Sequence, residues 1–336
     1  MRWSWICVAV AAPVLGACPS SFDSEKPACV GAQALSVDAI HGDTLPAKTI
    51  VFTFDDGPAS RTGELSTYLK GQGITATFFV NDNDQQKNYL GVLPQVAADG
   101  HLIGDHTKNH PDLTTLTAQQ IVDEVTDVDT LITPYVKNGR WFFRAPYLAY
   151  DMNVYNALQA TALKKYIGHI DADIGDDYIL PDQAADVACW QDKKVSTKSC
   201  GDLYVKDVEA HAPGIVLMHD ADYGDSANTN LTTGIGNTID MVKYIVPILK
   251  AKGYTFVSVE AIPAVAAQLP AIPDAGPDAT TDAAPEAGAS SSSSSSGATT
   301  SSSGAGSSSG IAAADAGDPC PPSTTTASKR NRRLSH

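Results

Sequence analysis

Three short runs carry the residue types that metal-assisted hydrolysis needs. Ile50-Val-Phe-Thr-Phe-Asp-Asp-Gly-Pro58 sets two carboxylates, Asp55 and Asp56, side by side where an apolar, β-branched run ends. Gly104-Asp-His-Thr-Lys-Asn-His-Pro111 spaces two imidazoles, His106 and His110, four residues apart. Ile215-Val-Leu-Met-His219 ends another apolar run on a third imidazole. One carboxylate and two imidazoles form a three-ligand set suited to zinc or a similar divalent ion, with a fourth position left for water. A bound metal brings its water toward a pKa near ~7, and the remaining aspartate can then take the proton.

Each run also has a plainer reading. On a helix, His106 and His110 would share one face, as in zinc peptidases. Pro111 disfavours the helical conformation at His110, so a loop or single turn is expected, with convergence imposed by the fold. By themselves, two of the chain's 8 histidines also suit a solvated turn. Asp55 could cap a turn while Asp56 is solvated, or the pair could form a magnesium-dependent phosphoacceptor pocket. That last chemistry draws on phosphodonors inside the cell, whereas this chain begins like an exported one.

The first residues, Met-Arg-Trp-Ser-Trp followed by a short apolar run and small residues, have the layout of a secretory signal peptide over 1–18. The run is too short to remain as a membrane span. Its ending, Leu15-Gly16-Ala17-Cys18, also resembles a lipobox, which would make a lipid on Cys18 the only obvious anchor. The expected location is therefore exported: periplasmic, cell-surface lipoprotein or secreted. Export permits disulfides. Of the 6 cysteines, Cys189 and Cys200 flank the polar run Trp190–Ser199 and are the pair expected to bridge. A linker is read over 19–45, one catalytic domain over 46–265, and a Ser/Gly/Ala-rich disordered tail over 266–336. A net charge of −15 argues against nucleic acid or anionic lipid as partner, since both need a basic footprint. A neutral substrate and a monomer are expected.

What must position these residues is an alternation of short apolar runs and helical patterns. Strands are expected at 49–54, 76–80, 101–104, 141–144, 166–172, 214–218 and 254–259. Thr117 with Gln120 is a capping box that opens a helix whose apolar face is Ile121, Val125, Val128 and Ile132. A second helix runs from Ile235 to about Leu249, stopped by Gly253, with Pro247 expected to kink it. Seven such units imply a parallel sheet, closed as a barrel or open and doubly wound. Either way the functional residues belong at the C-terminal strand ends, where Asp55, Asp56, His106, His110, Arg144, Tyr147, Asp173 and His219 fall.

The runs TFDDGP, HTKNH, RAPY and LMH occur in the order and approximate spacing of the polysaccharide deacetylases with the NodB homology domain, carbohydrate esterase family 4. The chain resembles that family over roughly residues 48–262. The resemblance implies an α/β fold, a distorted (β/α)7 TIM-like barrel. It implies Asp56, His106 and His110 as ligands of one divalent ion, zinc first, with Co2+ or another ion as substitute. Asp55 matches the base, Arg144 the residue that orients it, and Tyr147 the backbone N–H that helps hold the oxyanion. His219 matches the acid that protonates the leaving amine, and Leu217 a wall near the acetyl methyl. In Gly168–Tyr178 the match loosens: the family has an aspartate followed by Asp-Trp, and here Asp171, Asp173, Asp176 and Asp177 precede Tyr178. Asp173, with Asp171 next, is taken as the aspartate that tunes the acidic histidine, and Tyr178 as the groove wall. Residues 179–212 read as an inserted rim with a cysteine loop.

The activity this implies is removal of N-acetyl groups from N-acetylglucosamine polymers, chitin, chitooligosaccharide or peptidoglycan. The alternatives are an O-deacetylase of the acetylxylan type on the same machinery, and a glycan-binding relative without catalysis.

Overall fold

A computed structural model describes residues 39–176, 184–224 and 234–271. The signal and lipobox at Cys18, the linker up to residue 38, Tyr178 and the tail beyond residue 271 lie outside the described residues. Five parallel strands form one sheet: β1 (Thr49–Gly57), β2 (Thr77–Val80), β3 (Leu102–Asp105), β4 (Gly214–His219) and β5 (Thr255–Val257). β2 pairs with Thr53–Gly57 of β1 and β5 with Thr49–Val51. β4 overlaps both ranges, pairing with Ile50–Asp55, so it takes the opposite edge of β1.

Isolated parallel bridges carry the pairing onward, from Asp105 of β3 to Phe143, from Phe142 to Ile167, and from Ile174 to Val216 of β4. The ladder returns to its start. The open-sheet alternative is thereby excluded, and the fold is a distorted α/β barrel with β5 as its extra strand. The expected strands at 141–144 and 166–172 are present only as these bridges. Side chains take over there what a ladder would do: Arg144 Nε and Nη2 donate to the carbonyls of Ile170 and Asp171, and the Ala145 N–H donates to His169 Nδ1.

Among the described residues seven α-helices accompany the strands: α1 (Thr62–Gly71), α2 (Leu93–Ala98), α3 (Ala118–Ile132), α4 (Met152–Gln159), α5 (Thr197–His211), α6 (Thr238–Ala251) and α7 (Pro263–Ala266). α3 has the expected capping box and buries Ile121, Val125, Val128 and Ile132. α6 starts after Ile235, because Asn237 caps it by accepting from the Asp240 N–H, and it runs through Pro247 to Ala251. Within the inserted rim, α5 begins inside the expected cysteine loop. Ser196 caps it, and it buries Cys200, Tyr204, Val205 and Val208. Cys189 and Cys200 are disulfide-bonded, as expected.

Side-chain alternation along each strand divides the core in two. Ile50, Phe52 and Phe54 of β1 and Val216 and Met218 of β4 pack against the helices. Val51 and Ile215 face the other way, into the barrel with Phe79, Phe142, Ile167 and Ile170.

Candidate active site

The inward column of β1 continues past Val51 to Thr53 and Asp55, and that of β4 continues past Ile215 to Leu217 and His219. Register sets Thr53 beside Leu217 and Asp55 beside His219. Both columns turn from apolar to polar toward the C-terminal end of the barrel, so the base and acid candidates stand on adjacent strands at one level.

Strict alternation would send Asp56 outward, to the helix side. A bulge prevents it: β2 pairs with Asp55 and Gly57 and skips Asp56, whose φ is 64°. The left-handed residue turns the second carboxylate to the same end as the first. Gly57 is required next, since a Cβ there would lie 2.2 Å from the Asp220 carboxylate oxygens. Thr107 (φ 67°), His110 (φ 58°) and Tyr147 (φ 58°) around the site share this left-handed backbone.

His106 follows β3 directly, and His110 lies on the irregular segment beyond it, outside any helix, as Pro111 implies. The donor atoms of Asp56, His106 and His110 lie within 4.8 Å of one another, the one such group among the described residues. Asp56 Oδ1 is 3.6 Å from His106 Nε2 and 3.3 Å from His110 Nε2. That oxygen is buried and accepts no hydrogen bond, while Asp56 Oδ2 accepts one from Tyr223 Oη at 3.0 Å. His106 Nδ1 donates to the Arg144 carbonyl at 2.8 Å, which leaves the Nε2 lone pair facing Asp56. Burial, then the neighbouring His110, lower the His106 pKa to about 3, so its ring is neutral, as ligation requires. An orphan carboxylate oxygen facing two ring nitrogens fits a divalent cation.

Asp55 lies on the other side of this corner. Its Oδ1 accepts from Arg144 Nη1 at 2.9 Å, and its Oδ2 is 3.6 Å from His106 Nε2. Arg144 is fully buried. It also donates to Thr53 Oγ1 at 2.8 Å and lies 4.5 Å from the Phe79 ring centre. Burial raises the Asp55 pKa, opposed by the charges of Arg144 and His219, the Arg144 hydrogen bond and His110.

His219 is held by an acid that sequence reasoning did not select. Asp186, completely buried, accepts from His219 Nδ1 and from the His219 backbone N–H, each at 2.8 Å. Burial pushes the imidazole pKa down; the charge and hydrogen bond of Asp186, then Asp56 and Asp55, outweigh it and lift it to about 9. Asp173, expected in this role, sits at the opposite end of the barrel. Its Oδ2 accepts from the backbone N–H of Gly42 and of Ile215, near the start of β4, and its Oδ1 pairs with His41 Nδ1. Asp171 meets Arg144 only through its carbonyl. A signal for Asp186 was present: a lone carboxylate within the apolar run Ala184-Ala185-Asp186-Val187-Ala188 is an acid placed for burial.

Leu217 is buried, inward and two residues below His219. Tyr147 is 44% exposed, and its ring centre lies 4.6 Å from that of His110. Beside the metal corner a cavity of about 190 Å³ runs from Asp56 and His110 past Asn81, Gln86 and Tyr223 to Asp222 and the exposed ring of Tyr89. Its lining mixes polar side chains with the rings of Tyr89 and Tyr223.

Residues 42–166 match the family model described as polysaccharide deacetylase. A chitin deacetylase of Pestalotiopsis sp is 38% identical over 108 residues, which is 32% of this chain and 36% of that protein, so the chain spans about a third of that relative's length. A chitin deacetylase of Colletotrichum lindemuthianum is 28% identical over 219 residues, 62% of this chain and 77% of that protein. The crystal structure of a chitin deacetylase from Colletotrichum lindemuthianum aligns with a TM-score of 0.48 at 26% identity, covering 64% of this chain and 87% of that one.

Proposed function

Because residues 42–166 place this chain in the polysaccharide deacetylase family, we propose that it removes N-acetyl groups from N-acetylglucosamine polymers and releases acetate. One observation carries this reading: Asp56, His106 and His110 converge as ligands between a buried carboxylate, Asp55, and a buried imidazole, His219. The names of the relatives, chitin deacetylases, supply the substrate class.

A divalent ion held by Asp56, His106 and His110, zinc first, would supply Lewis acidity toward water and the acetyl carbonyl. Asp55, kept ionised by Arg144, takes the proton from the attacking water. Tyr147 contributes its backbone N–H to the developing oxyanion. His219, protonated at neutral pH and aligned by Asp186, gives its proton to the departing nitrogen. Leu217 walls the pocket on the side of the acetyl methyl. The cavity toward Tyr89 receives the neighbouring sugar.

The same reading makes residues 46–265 the catalytic domain of an exported, monomeric protein led by a signal ending near Cys18. Among the described residues no helix is long and apolar enough to cross a membrane. The test is acetate release from chitooligosaccharides, peptidoglycan and acetylxylan, each with and without chelator. Chelator-sensitive release from the first two supports the proposal. Release from acetylxylan alone would convert it to an O-deacetylase, and no release from any would leave a glycan-binding protein.

A further inference from the structure

Asp186 is itself tied through its backbone, through its carboxylate and through the chain that follows it. The Asp186 backbone N–H donates to Tyr204 Oη of α5 at 3.1 Å, and that hydroxyl donates onward to the Leu217 carbonyl of β4 at 3.0 Å. Thr238 Oγ1, in the first turn of α6, donates to Asp186 Oδ2 at 2.7 Å and accepts from Trp190 Nε1 at 3.1 Å. Cys189 follows Asp186 by three residues and is bonded to Cys200, one turn before Tyr204 on α5. Asp186, Cys189, Trp190, Cys200, Tyr204 and Thr238 are all buried.

We propose that Tyr204 and Thr238, clamped by the Cys189–Cys200 bridge, are positioning residues for the reaction: they hold the Asp186 carboxylate on His219. The proposal rests on reading His219 as the general acid. Of Asp186's five bonds, two go to His219, two to the brace and one comes from the neighbouring Val187 N–H to Oδ1 at 2.9 Å. Without the brace the segment that carries Asp186 loses its side-chain hydrogen bonds to α5 and α6, and its carboxylate can turn from His219. The other charged or titratable groups facing His219 are Asp55 and Asp56 from the end of β1 and Tyr223, whose ring centre is 5.9 Å away. None of them bonds the imidazole, so Asp186 is the partner whose position matters.

The test follows two midpoints in the zinc-loaded full chain. One is the titration of the His219 imidazole by NMR, and the other is the alkaline limb of kcat/KM. Thr238→Val is expected to move both down by about one pH unit, a roughly fivefold loss of kcat/KM at pH 9. Thr238→Ser should restore both. Tyr204→Phe and the Cys189→Ala/Cys200→Ala pair should move them in the same direction, with metal stoichiometry unchanged. Tyr204→Phe gives the same readout if Thr238→Val does not fold. An unmoved imidazole midpoint in folded, metal-loaded Thr238→Val or Tyr204→Phe overturns the brace. A moved midpoint with an unmoved activity limb overturns His219 as the acid, and the proposal with it.

Discussion

Arg144 and Asp55 meet at 2.9 Å with both side chains closed off from water, so neither can lose the other without leaving a buried charge. Arg144→Ala should destabilise the protein by about 3–5 kcal/mol, the cost of orphaning a buried partner, read from denaturant unfolding. Asp55→Asn should remain folded, keep its metal, and lose roughly 10²–10⁴-fold in kcat. A fully active Asp55→Asn enzyme would remove Asp55 as the base.

The two shifted groups set a pH window. As the proposed base Asp55 would act deprotonated, and its pKa is raised, so the acid limb of kcat/KM should lie above the ordinary carboxylate range. His219 acts protonated with a pKa near 9, so activity should persist through neutral pH and fall as pH rises through about 9. The linkage to stability has the same sign. The His219–Asp186 contribution is fully present below the unfolded imidazole pKa of 6.5 and fades as pH rises through about 9. Asp186→Asn should move the alkaline limb down, and an unmoved limb would detach Asp186 from the reaction.

Metal content and melting should move together. Zinc at 100 times its dissociation constant should stabilise the chain by about 2.7 kcal/mol, and chelation should reverse this. His110→Ala should weaken zinc binding in a competition titration. Unchanged affinity would exclude His110 as a ligand.

Tyr89 lines the cavity that also reaches Asp56 and His110. Its removal should raise KM on long oligosaccharides and leave the shortest accepted substrate unaffected. Equal effects at every chain length would mean that no sugar rests there.

Gly57→Ala forces a methyl group into the Asp220 carboxylate and should cost roughly 1–3 kcal/mol, checked by thermal melting.

Local features carried most of what was legible in the sequence. The apolar run into Asp55-Asp56, the prolines and glycines after the ligands, and the capping box at Thr117 each act within a few residues. Asp186 was hidden because its bond to His219 spans 33 residues and begins in an insertion with no strand to mark it. Asp173, chosen from the aspartates of Gly168–Tyr178, lies at the other end of the barrel. α5 was missed because Lys198, Asp202 and Lys206 obscure its buried stripe, which a cap at Ser196 would have revealed. The strands at 141–144 and 166–172 are reduced to bridges, and in the second a buried arginine takes the carbonyls of Ile170 and Asp171, which no pattern shows.

Asp56, Thr107, His110 and Tyr147 all hold the left-handed backbone that L-residues adopt at a cost of roughly 1–2 kcal/mol each. Glycine would relax any of them, yet glycine at Asp56 or His110 deletes a ligand. Heat-hardened variants of this protein should therefore come from the helices and the opposite end of the barrel, because at this end robustness and turnover make opposite demands on Asp56 and His110.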